Sequence, residues 1–527
     1  MVKLRCETKI TGTNYRTVSQ DVQLLIDESF AEKIIPANDS VRLLDEIVEE
    51  MDLTLLMRAY NARGRKPAAS PSTMLKILLY ANMEGIYSSR KIATACVRDL
   101  NFIWLRNGEK SPGYHEIARF RSKRLPECAE ALFVQLVKKL HEIGEIKFQM
   151  VDLLFILCLS VVGLLIRIPL YPITSADYLG CLLPWMEEIR QTGGFFSLNH
   201  SISNYTSPYM YLMCLVSYVT RDNLYALKTV SVIFDYVAAL AMFLLVYEIT
   251  CNVRRSIIGM ALVLLCPTVI INSAYWCQCD VIYTSFLLLS LLYFYRDNSR
   301  KSLVFMGIAF SFKLQALFFV PFLILMWLKG RTIKFRHFLY IPAMYVLTAV
   351  PAWLFGRSMK DLLLIYVQQS ETYPWGTLEY PNIYALLGEV MPDYYHANEV
   401  SSAGTFMTII LLGLLAYYLY GKRIIITNQM AATIALFSVA LVVYTLPHMH
   451  DRYGFLVDLL AILYGVLNPG KLMMTCLFLL VSLLSYIPYL LGIHIMPIAY
   501  VALGLLALLL LVGKDLYGQI KAQESSL

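Results

Sequence analysis

Most of this chain has little charge. Its 527 residues hold 83 Lys, Arg, Asp and Glu, yet residues 150–527 contain only 41 of them. That scarcity excludes an ordinary soluble core for the larger part, because soluble domains carry about 25% charged residues throughout. The chain also has no apolar run at its beginning, MVKLRCETKITGTNYR. A cleaved secretory signal is therefore not expected, and the first apolar run, from Met150, is expected to act as an internal signal. Metal-ligand spacing is scarce as well. The eleven cysteines are scattered and lie mostly in apolar runs, as small core residues do. Only Cys277 and Cys279 stand close together, and a C-x-C pair without partner ligands favours packing over metal or redox chemistry. The net charge of +7 needs no nucleic-acid partner, since much of the excess in residues 150–527 sits in short loops, where topology accounts for it.

The rest of the composition is apolar: 58% hydrophobic, with a mean hydropathy of +0.57. The expected fold class is all-α, a polytopic helical membrane protein of about twelve spans. A small soluble helical domain, residues 1–149, precedes it and is expected to stay in the cytoplasm; residues 150–527 form the membrane domain.

Within residues 1–149, VRLLDEIVEEMDLTLLMRAY has amphipathic helical spacing, and TMLKILLYANMEGIYSSRKIATACVRDL follows a basic turn, RGRKPAASPS. Short helices with basic connections suit a helix-turn-helix-like DNA-binding unit, and equally a solvated helical bundle. TNYRTVSQDVQLLIDESFAEKIIPANDSVRLLDEIVEEMDL, ILLYANMEGIYSSRKIATACVRDLNFIWLRNGEKSPGYHEIARFRSKRL and LFVQLVKKLHEIGEI resemble the N-terminal domain of insertion-sequence transposases of the InsH type, over roughly residues 14–146. The resemblance implies DNA as a partner of residues 1–149. Such transposases carry an acidic nuclease core downstream, and here apolar runs follow instead. An in-frame fusion of a mobile element to a membrane-protein gene would produce this order.

A span needs about 20 apolar residues, fewer where a helix is broken. Candidates are 150–169, 225–249, 256–274, 281–295, 302–312, 315–328, 337–355, 404–420, 429–446, 454–467, 471–491 and 494–513. SPYMYLMCLVSYV, 207–219, is short and is expected to lie along the membrane surface. With the N-terminus inside, Arg254, Arg255, Arg296, Arg300, Lys301, Lys329, Arg331, Lys334, Arg336, Lys422 and Arg423 all fall in cytoplasmic loops, and so does the tail from Lys514. That is the bias expected of cytoplasmic loops. Both termini are then cytoplasmic.

The unusual polar residues gather on the outer face: Asp177 in TSADYLGCLLPW, Asp280 in YWCQCD, Lys313 and Gln315 in SFKLQ, Asn382 in YPNIYALL, and His448, His450, Asp451, Arg452 and Tyr453 in PHMHDRYG. Asp280 also fits a helix cap, and Lys313 a snorkelling side chain. No H-x-x-x-H or acidic partner supports a metal at the histidines, so no metal ligand is assigned. Lys228 and Asp235, seven apart on one helix face, are expected to share a polar network. Carboxylates, cations and tyrosines together suit a sugar and a phosphate. Nucleotide sugars do not occur outside the cytoplasmic membrane, so a transferase there needs a lipid-linked donor such as a polyprenyl-phosphate sugar.

SADY with PW, NYTSPYMYL, LKTVSVIFDY, AYWCQCDVIYTSFLLLSLLY, SFKLQALFFVPF, YPNIYALL and HMHDRYGF resemble bacterial relatives of the GPI-anchor mannosyltransferases, within the GT-C superfamily of glycosyltransferases. The resemblance runs from about 150 to 513. It implies a GT-C-like bundle in the bacterial cytoplasmic membrane and an inverting transfer of a hexose, mannose favoured. The donor implied is a polyprenyl-phosphate sugar, and the acceptor a glycan or envelope molecule. Asp177 is implied as the base; Asp280, Lys313, Gln315, Asn382, His448, His450, Asp451, Arg452 and Tyr453 are implied as donor contacts. Two departures stand out: Cys277 occupies a position where the commoner form has Gly, and the first loop has no D-x-D pair, which leaves the use of a divalent metal open. A lipid-linked glycan polymerase or flippase, and a membrane-tethered DNA-binding protein, are the competing classes.

Overall fold

The computed structural model describes residues 28–60, 67–126, 128–142, 150–370, 376–390 and 398–525. The stretches TNYRTVSQDVQLLID (13–27), RGRK (63–66) and ETYPW (371–375) lie outside the described residues. The chain divides into two compact units, Met1–Phe148 and Gln149–Leu527.

The first unit is built from short helices: α1 Glu28–Ile34, α2 Ser40–Glu49, α3 Thr54–Arg58, α4 Pro71–Met83, α5 Ser89–Arg98, α6 Leu100–Leu105, α7 Tyr114–Arg119 and α8 Ala129–Glu142. Capping residues explain several starts. The Asp39 carboxylate accepts from the Val41 amide, Ser70 caps α4 ahead of Pro71, and Asp99 closes α5 while capping α6. The apolar faces pack on one core that includes Val41, Leu44, Ile77, Phe102, Ile117 and Phe120.

In the second unit, α9 Met150–Arg167 leads to α10 Leu183–Thr192, α11 Ser207–Val219 and the long α12 Asn223–Thr250. Then come α13 Val253–Leu264, α14 Pro267–Ile270, α15 Asp280–Tyr295, α16 Ser299–Phe312, α17 Val320–Leu328, α18 Tyr340–Leu354 and α19 Met359–Ser370. The last group is α20 Ile383–Val390, α21 Asn398–Gly421, α22 Asn428–Thr445, α23 Phe455–Leu467, α24 Leu472–Leu491 and α25 Ile498–Glu524. Asp222, Asn252, Asn298 and Thr427 cap α12, α13, α16 and α22 by accepting from backbone amides. Among the described residues the expected all-α class is met but for a two-residue parallel pair, β1 Thr377–Leu378 with β2 Met449–His450.

Among the described residues, seven helices are long and apolar enough to cross a bilayer, or eight if the pair bent by 47° at Pro267 counts as one. This corrects the expected twelve. The apolar helices Asp280–Tyr295, Leu314–Leu328 and Phe455–Leu467 are shorter, and α16 has 14 residues. At 1.5 Å per residue such helices reach roughly 20–24 Å, short of the ~30 Å hydrocarbon core. They are apolar for a different reason: α15 and α23 are buried almost throughout, so their neighbours are protein. The outer helices show the opposite pattern. Phe155 and Leu165 on α9, and Phe406 and Ile410 on α21, are exposed apolar side chains, the kind of surface that lipid covers.

The two ends of the bundle differ in character. At one end Arg296 pairs with Glu248 (2.6 Å), Lys422 with Glu524 (3.1 Å) and Lys471 with Asp515 (3.0 Å). Lys329 Nζ donates to the Lys422 carbonyl (2.8 Å) and Arg331 to Asn428 (3.0 Å). The opposite end holds the connections that follow α9, α14, α16 and α22.

Candidate functional site

Four connections meet around Arg452. Asp177 lies in the first turn of the helical segment before α10. Ser175 Oγ accepts from the Tyr178 amide (3.2 Å) and donates to the Trp276 carbonyl (2.7 Å), which pins that turn beside YWCQCD. Asp280 is the first residue of α15 and is fully buried. Lys313 ends α16 in an extended conformation, φ −154°, ψ 137°. The HMHDRY turn is held by the strand pair: the His448 amide donates to Gly376 O (2.9 Å) and the Asp451 amide to Leu378 O (2.8 Å). Ser485 Oγ on α24 donates to Asp451 O (2.9 Å). Gly454 closes the turn where a Cβ would meet the Tyr380 ring at 2.9 Å.

The Arg452 guanidinium faces three carboxylates, Asp177 at 3.5 Å, Asp280 at 3.7 Å and Asp451 at 3.8 Å. All three distances exceed a strong charge-assisted hydrogen bond. Its plane lies over the Trp276 ring, 5.4 Å from the centroid. Asp280 forms an ion pair with Lys313 and accepts from Asn272 Nδ2 (2.9 Å). Asp177 Oδ2 accepts from Trp276 Nε1 (3.0 Å) and Gln278 Nε2 (2.5 Å), and Oδ1 accepts from the Tyr489 hydroxyl. Burial pushes the Asp451 carboxyl up to about 7 despite nearby Arg452. Burial, then Arg452 and Lys313, hold His450 down to about 3, so its ring is neutral at ordinary pH.

Two cavities adjoin the cluster and share Gln315, Gln369, His450 and Tyr453 in their walls. The first, about 100 Å³, is lined by polar groups that include Lys313, Arg452 and Tyr205. The second, about 230 Å³, adds Leu314, Phe318, Leu446, His448 and Met449. The first cavity is cationic and the second largely apolar.

Of the residues singled out in the sequence, Asp177, Asp280, Lys313, Asp451 and Arg452 form the cluster, while Gln315, His448, His450 and Tyr453 line the cavities. Asn382 stands apart and fully buried: its side chain accepts from the Tyr384 and Ala385 amides and donates to Gly376 O and Leu446 O (both 3.4 Å). It secures the segment that holds the HMHDRY turn. The expected Lys228–Asp235 network is not formed. Lys228 donates to the carbonyls of Leu170 (2.8 Å) and Ile173 (2.6 Å), whereas Asp235 pairs with Arg167 (2.8 Å) and Ser273 (2.6 Å). Seven residues of helix separate the two by about 10 Å, and each finds a nearer partner. Cys277 and Cys279 are buried free thiols, and among the described residues no group of three His, Cys, Asp or Glu converges as a metal-ligand set.

Sequence reasoning passed over Trp276, Gln278 and Tyr489, the three donors on Asp177. Trp276 and Gln278 sit inside the YWCQCD stretch and were overshadowed by its cysteines. Tyr489 lies in an apolar run and carries no local signal.

A family profile described as a transposase domain (DUF772) matches residues 29–123. No curated protein matches the chain.

Proposed function

We propose that residues 150–527 are a GT-C-like membrane glycosyltransferase that moves a hexose, mannose favoured, from a polyprenyl-phosphate donor to an acceptor hydroxyl outside the cytoplasmic membrane. One observation carries the reading: Asp177, Asp280, Lys313 and Arg452, from four separate connections, converge at one end of the bundle beside two adjoining cavities, one lined by cations and the other largely apolar. In this reading Lys313 and Arg452 hold the donor phosphate, where their charge favours the leaving group. The first isoprene units lie along Leu314, Phe318 and Met449. Asp280 orients both cations. Asp177 takes the acceptor proton as the acceptor oxygen attacks the anomeric carbon; the bond from that carbon to the phosphate oxygen breaks, and the lipid phosphate leaves with the electron pair.

The test supplies the purified full chain with radiolabelled polyprenyl-phosphate mannose and, in parallel, polyprenyl-phosphate glucose. Asp177→Asn is expected to lower transfer by at least about 100-fold, the lower range for loss of a general base, with membrane insertion and thermal midpoint retained. A fully active Asp177→Asn protein removes the assignment.

A second reading concerns the first unit, because residues 29–123 match a transposase domain. Helices α5 and α7 pack together and carry exposed Arg90, Lys91, Arg98 and Arg119, with exposed Arg121 in the turn just after α7. Such a face suits the DNA phosphate backbone.

A further inference from the structure

The donors on Asp177 raise a difficulty for its role as base. Trp276 and Gln278 occupy Oδ2, and the Tyr489 hydroxyl occupies Oδ1. An acceptor hydroxyl needs one of those positions. Trp276 and Gln278 are buried, Trp276 completely so, and both belong to the segment that Ser175 and Ser231 fasten in place through the carbonyls of residues 276 and 278. Tyr489 is different. It is 43% exposed and sits in the last turn of α24, which ends at Gly492 in a left-handed conformation. Its ring stacks on Trp276, 5.2 Å between centroids and 24° between planes.

We infer that the Tyr489 hydroxyl stands in for the acceptor hydroxyl on Asp177 Oδ1, and that the acceptor is a neutral carbohydrate which displaces it. This rests on the glycosyl-transfer reading above. The chemistry of the position selects the ligand. Oδ1 is a carboxylate oxygen and accepts only from a donor, so an O–H suits it and an anionic oxygen is repelled. In the glycosyl-transfer reading Arg452 is committed to the donor phosphate on the cavity side, and the ionisable groups paired with it, Asp177, Asp280 and Asp451, are acids that do not attract a negative acceptor. An exposed aromatic ring beside the carboxylate offers the C–H face of a pyranose a surface to rest on. Asp177 does not line the polar cavity, whereas Arg452 does, so donor and acceptor approach the guanidinium from different sides. Tyr489 therefore covers the acceptor side until a sugar takes its place.

The test compares the full chain with Tyr489→Phe, which keeps the ring and removes only the hydroxyl. Labelling of Asp177 by a carbodiimide with glycinamide, followed by peptide mass spectrometry, reads access to Oδ1 without any turnover. Tyr489→Phe is expected to raise the labelling rate about tenfold, the size of one hydrogen bond to a charged group. Methyl α-mannoside is expected to slow labelling of the variant again, and sn-glycerol 1-phosphate is not. Release of free mannose from labelled polyprenyl-phosphate mannose, with water as acceptor, is expected to rise by a similar factor in Tyr489→Phe. Unchanged labelling overturns the inference, and so does protection by the phosphate compound alone. If labelling and mannoside protection behave as expected but no lipid-linked mannose or glucose is consumed by any form, the glycosyl-transfer reading fails and the acceptor assignment falls with it. If the wild type transfers sugar and Tyr489→Phe is slower, only the inference about Tyr489 is lost.

Discussion

At the scale of single residues, burial and charge work against each other in the HMHDRY turn. Asp451 is held near 7, above its ordinary 3.8, so the folded chain keeps a proton that the unfolded chain releases. Its contribution falls as pH rises from about 4 to 7. His450 is held near 3, below its ordinary 6.5, so its contribution rises with pH from about 3 to 6.5. The two trends oppose each other below pH 6.5. Thermal midpoints in detergent between pH 4 and 8 are expected to separate them. Asp451→Asn should gain on the wild type as pH rises through that window, and His450→Gln should gain as pH falls. Curves that stay parallel to the wild type would contradict both shifts. Cys277 supplies a second residue-scale test. It adopts φ +66°, the left-handed region that favours glycine. Cys277→Gly and Cys277→Ala both lose the buried thiol, but only Gly relieves the backbone. The Gly variant is expected to be more stable than the Ala variant by about 1 kcal/mol. An equal or reversed order in unfolding midpoints would remove that account.

Among elements, the short helices matter most. Ser231 Oγ, eight residues into α12, donates to the carbonyl of Gln278 just before α15 begins. Asp280 therefore lies about 12 Å below the start of α12, at 1.5 Å per residue. Short central helices framed by longer ones recess the charged cluster into the bundle. The charged turns were legible in the sequence because polar clusters stand out against apolar runs. The span count was not, since an apolar helix surrounded by protein has the same composition as one surrounded by lipid. Nor was the Arg167–Asp235 pair, whose members lie 68 residues apart. That pair joins α9 to α12, and both side chains are fully buried. Arg167→Met alone is expected to destabilise by roughly 3–5 kcal/mol by stranding Asp235, and the double change with Asp235→Leu to restore most of the loss. A double variant no better than the single one would show that the pair does more than neutralise itself.

For the whole molecule, the two units have separate cores, and the change in composition at residue 150 was legible from charge alone. The activities are expected to separate in the same way. Residues 150–527 alone should retain sugar transfer within about twofold of the full chain. Residues 1–149 alone should bind duplex DNA with an affinity that falls steeply between 50 and 200 mM salt, as phosphate-dominated binding does. Loss of transfer on truncation would make the first unit part of the enzyme, and salt-insensitive or absent DNA binding would leave the basic α5–α7 face without that partner.

The order of the two units also sets a timetable. At about 5–20 residues per second, the ribosome spends roughly 8–30 s on the first 149 residues before α9 begins to form. Helical units that small fold far faster than this. The first apolar segment thus leaves the ribosome behind a domain that is already folded, so its insertion begins with that folded load attached.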